Sequence, residues 1–129
     1  MKRLFVLAAA GLALVAAQPA AAADAAKEIT TAAAHAGMAA GSPDMKMVQS
    51  HLQHVVNCLV GPGGAGFDAN QANPCKGQGM GAIPDSPADK RMALEAALKM
   101  ARDGMAESDL DKAKAKASAT QAALGKLAM

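Results

Sequence analysis

Aromatic side chains are almost missing from this chain. It has no Trp, no Tyr and only two Phe, Phe5 and Phe67. A core without rings buries little area per side chain, and abundant Ala lowers that further. Close helix packing and a covalent staple are how such a chain gains stability. Long apolar runs are missing after residue 17, so no later segment offers the roughly 20 residues a membrane helix needs. Charge of one sign is missing too. Lys and Arg number 13 against 11 Asp and Glu, and Lys2 and Arg3 are two of the 13. Beyond residue 23 the charges therefore balance, and no basic surface for nucleic acid is predicted. The Gly-rich run from Gly61 to Gly66 lacks the Lys-Ser/Thr ending of a phosphate loop, and there is no HExxH, GxSxG or CxxC. Asp68, Asn70 and Asn73 do not form an EF-hand pattern. No activated nucleophile or carboxylate pair stands out, so the reading is a protein that is not an enzyme.

What is present begins with an export signal. Lys2 and Arg3 form a positive start, residues 4–17 are apolar and uncharged, and Gln18-Pro19 breaks the run. Ala21-Ala22-Ala23 then supplies the small residues of a cleavage site before Asp24. Residues 1–23 read as a secretory signal peptide and 24–129 as one domain, periplasmic or secreted, with no membrane anchor once the signal is cut. No Cys follows the segment, so a lipid anchor is not expected.

The fold class read from the pattern is all-α. Residues 24 to about 40 are Ala-rich and free of Pro, which favours helix. Ser42-Pro43-Asp44 reads as a helix start with Ser42 as N-cap, and Gly61-Pro62 as the stop of a second helix near Val60. Residues 61–86 carry seven Gly and three Pro and read as a long loop. Ser86-Pro87 repeats the start signal. A third helix follows to about Asp103, with Gly104 weakening or ending it, and a fourth runs from Ser108 or Asp109 to Lys126. One long helix bent at Gly104 is the alternative. The fourth has the weakest apolar stripe: Leu110, Ala113, Ala117, Gln121, Leu124 and Ala128. A small antiparallel bundle of three to four helices is the expected architecture.

In an exported chain the two cysteines, Cys58 and Cys75, read as a disulfide, worth about 3 kcal/mol in the chain-entropy model. Two thiolate metal ligands are the rival reading. The second helix buries Met45, Val48, Leu52, Val55, Val56 and Leu59 at 3,4 spacing. Met47, His51, His54 and Cys58 form another stripe about 120° away. Because Cys58 must reach Cys75, the Gly-rich loop folds back over or beside His51 and His54. A short turn makes the first two helices neighbours, which brings His35 to the height of Met47 and His51, with Met38 one turn nearer the connection.

His51, His54 and Met47, completed by His35 or Met38, are thus candidate metal ligands. Imidazole with thioether suits copper first, b-type haem second and zinc third. The competing reading is structural: His51 and His54 hydrogen-bond loop carbonyls, His35 lies at the surface, and Met fills the core. In length and in placing His and Met on bundle helices, the chain resembles small exported bundles that bind copper or b-type haem, without residue correspondence. Two functions follow as expectations. One is a metal-binding protein. The other is an interaction module that presents the stapled loop to an unidentified periplasmic protein.

Overall fold

The computed structural model describes residues 23–129, so the segment read as a signal peptide lies outside the described residues apart from Ala23. Five helices follow in order: α1 (Ala25–Gly41), α2 (Met45–Val60), α3 (Ala82–Asp85), α4 (Ala88–Ala106) and α5 (Leu110–Leu127). Among the described residues there is no strand, and no helix is long and apolar enough to cross a membrane.

Three of the helices start on an Asp. Asp24, Asp44 and Asp109 accept hydrogen bonds from the backbone N–H three residues on, at 2.9–3.0 Å. These bonds satisfy donors that the first helical turn leaves unpaired. Ser42 is therefore not the N-cap of α2, as its place before Pro43 suggested. It closes α1 instead: its hydroxyl donates to the Met38 carbonyl at 2.8 Å and its N–H to the Ala39 carbonyl. Gly61 ends α2 at φ +69°, a positive φ that Gly adopts without strain.

α1 packs on α2 and α5, and α4 packs on α2 and α5. Gln49 on α2 reaches the Met105 carbonyl on α4, and Lys90 reaches the Leu127 carbonyl of α5. Starts thus meet ends, and the four long helices run up, down, up and down. Ile29, Ala32, Ala36 and Ala39 of α1 meet Val48, Leu52, Val55, Val56 and Leu59 of α2 in one core, with Leu94, Ala97, Ala101, Ala113, Ala117 and Leu124 from the other pair.

Two details depart from the sequence reading. Gly104 does not break a helix; α4 runs through it to Ala106. A Cβ there would stand 2.9 Å from Leu52 Cδ1 and 3.0 Å from Lys116 Cβ, so Gly is present for close packing. On α5 the buried polar position is Thr120, whose hydroxyl bonds the Lys116 carbonyl, and Gln121 is exposed.

Residues 61–81 contain no helix, and α3 is a single turn that the sequence reading treated as loop. The segment is held by specific bonds. Cys58 and Cys75 are joined, with Cα atoms 5.2 Å apart. The fully buried Asn57 donates to the Asp68 and Ala72 carbonyls and accepts from Asp68 N–H and Gln53. Phe67 packs against the core.

Candidate metal centre

The 3,4 spacing of α2 puts His51 and His54 on neighbouring turns of one face, and the short turn at residues 42–44 brings α1 alongside with His35. The three rings stand in mutual contact. Their centroids are 5.7 Å apart for His35–His51, 5.2 Å for His35–His54 and 5.5 Å for His51–His54. One ring nitrogen from each lies within 4.8 Å of the others. Nitrogens bound at 2.0–2.1 Å around one tetrahedral ion stand roughly 3.4 Å apart, so modest side-chain rotation closes the set on a cation.

All three side chains are half-buried. Each Nδ1 is shielded from solvent and meets no hydrogen-bond partner. A buried polar atom left unpaired costs about 1–3 kcal/mol, so three in one group need an explanation, and a metal-ligand role is one. The reading in which His51 and His54 tie down loop carbonyls gives their Nδ1 atoms no support here. His35 is not the surface residue it appeared to be in isolation.

Burial, followed by the neighbouring His54 and His51, holds the His35 imidazole below its usual range. Burial and His51 likewise lower His54, and Gln71 partly opposes them. Gln71 comes from the loop and accepts a hydrogen bond from Ser50 on α2. Burial thus favours the neutral form of His35 and His54, the form that binds metal. No carboxylate belongs to the group. Cys58, on the same stripe, is in the disulfide and is not a thiolate ligand.

The expected thioethers lie further toward solvent. Met38 is 50% exposed and Met47 43%, against the half-buried imidazoles. A concavity of about 770 Å³ between α3, α4 and the start of the loop has Val60, Ile83 and Leu98 among its walls and none of the histidines. A bare ion needs donors rather than volume, so the imidazole group is the stronger site. Sequence reasoning did not anticipate Gln71 or Asn57; a buried Asn three residues after His54 carries no sequence signal that separates it from a surface Asn. Compared with known proteins, the chain matches no family model, no curated sequence and no solved structure.

Proposed function

We propose that this chain is an exported, non-catalytic protein that holds a late first-row metal ion, copper first, through His35, His51 and His54. The observation that carries this is the convergence of three imidazoles whose Nδ1 atoms are buried and without partners. Nitrogen donors suit both copper and zinc, and Cu(II) binds more tightly in the general affinity order. Met38 and Met47, on the same two helices, are the thioethers that would extend the set toward Cu(I). A b-type haem is disfavoured, because a flat macrocycle needs an open slot and these rings are in mutual contact. The disulfide supports an oxidising compartment, and the apolar segment at residues 4–17 supports the export route.

Calorimetry of the metal-free protein with Cu(II) and Zn(II) tests the reading. One ion per chain is expected, with sub-micromolar affinity and copper displacing zinc. His35→Ala, His51→Ala and His54→Ala should each weaken binding by at least about tenfold. Affinity no tighter than micromolar for both metals, or full retention in the triple variant, removes the proposal.

A further inference from the structure

Near the other end of α1, two turns before His35, lies a polar pair that metal binding does not use. Glu28 is fully buried. Its Oε1 accepts a hydrogen bond from Gly81 N–H at 3.0 Å, and its Oε2 is buried without a partner. Asp85, the last residue of α3, accepts from Met80 N–H at 2.6 Å through Oδ2. The two carboxyl groups meet beside Gly79: a Cβ there would overlap Asp85 Oδ2 and stand 2.8 Å from Glu28 Oε1. Their side chains are within hydrogen-bonding reach of each other.

Arg91 of α4 reaches this turn, but it donates to the Pro84 and Ser86 carbonyls and pairs with neither carboxylate. Asp24, at the start of α1, adds a third negative group. Among the described residues the one ion pair is Lys99–Asp103, on α4. Two ionised carboxylates in contact, one of them buried, repel strongly, whereas a single proton between them replaces repulsion with a short charge-assisted hydrogen bond.

We propose that Glu28 and Asp85 share one proton, and that this bond is a catch holding residues 79–85 against α1. Glu28 carries the proton and Asp85 accepts it. Burial raises the Glu28 carboxyl to about 7; the Gly81 N–H works against this, and Asp85 and Asp24 add to it. The catch thus opens near neutrality, when Glu28 loses its proton and the pair becomes doubly negative. What it releases is the return of the loop over α1, where Asp24 N–H bonds the Gln78 carbonyl and Thr31 bonds the Gln78 side chain. The device is independent of the metal reading, since it involves none of the histidines.

Carboxyl-carbon NMR of metal-free protein labelled at Glu follows three signals, from Glu28, Glu95 and Glu107. Glu28 should titrate near 7. Hydrogen exchange at the Met80 and Gly81 amides, corrected for its intrinsic pH dependence, should lose protection about tenfold per pH unit above that midpoint. Glu28→Gln keeps a neutral donor to Asp85, so its protection should not change with pH. A Glu28 midpoint in the ordinary carboxylate range overturns the proposal, as does pH-independent protection in the unaltered protein. The first two readouts need no variant, so a poorly folding Gln substitution does not shelter the idea.

Discussion

Asn57 and Gly104 show how much depends on single positions in a core this poor in large side chains. Asn57 serves four hydrogen bonds inside a buried site. Asn57→Leu would leave the Asp68 N–H and two loop carbonyls unpaired, an expected loss of about 2–4 kcal/mol in urea denaturation. A loss under about 1 kcal/mol would mean that water replaces the amide easily. Gly104→Ala separates two explanations by sign. If Gly104 only weakened the helix, Ala would stabilise it by up to ~1 kcal/mol. The close approach of Leu52 and Lys116 instead predicts a net destabilisation of about 1–2 kcal/mol from overpacking. A rise in stability on this substitution would contradict the packing described above.

The helices and the loop obtain their order by different means. α1, α2 and α5 each begin on an Asp cap, and Asp44→Ala should cost about 1 kcal/mol. The loop from residue 61 to 81 lacks a ladder of its own and relies on the disulfide, the Asn57 bonds and the contacts with α1. Replacing both Cys58 and Cys75 by Ala should cost about 3 kcal/mol. In hydrogen exchange the loss should fall first on residues 62–79 and leave the α4–α5 pair protected. Uniform loss across the chain would show that the staple supports the whole bundle. α3 escaped the sequence reading because one helical turn containing Pro84 has no periodicity to detect. It exists where Gly81 is tied to Glu28 of α1 and Asp85 accepts from the Met80 N–H.

For the molecule as a whole, two sets of groups make stability depend on pH in opposite directions. His35 and His54 have folded pKa values below 6.5, so the folded state binds fewer protons than the unfolded state. Their contribution is complete above about 6.5 and is lost as pH falls through the folded values. Glu28 rises from 4.5 to about 7 and binds more protons when folded. Its contribution is complete below about 4.5 and is lost as pH rises through 7. Between these limits the effects oppose each other, so metal-free protein should show a shallow profile. Glu28→Gln should uncover a steeper loss toward acid, measured by urea denaturation at a series of pH values. Identical profiles for the two proteins would refute this balance. Saturating copper at 100 times its dissociation constant should add about 2.7 kcal/mol near pH 7, and this gain should fall as acid protonates the rings.

The local pattern was enough for the all-α class, the Gly61 stop and the pairing of two cysteines, because each depends on neighbours in sequence or on elimination. It also placed His51 and His54 on one face, since helical periodicity alone does that. Which residues cap, and whether a Gly breaks a helix or admits a neighbour, depends on chain segments distant in sequence. Ser42 and Gly104 were misread for that reason. The short turn between α1 and α2 placed His35 within reach of His51 and His54, whereas the meeting of Glu28 with Asp85 across 57 residues was decided only by tertiary packing. Burial changes what a titratable group does, and no sequence window contains the groups that bury it.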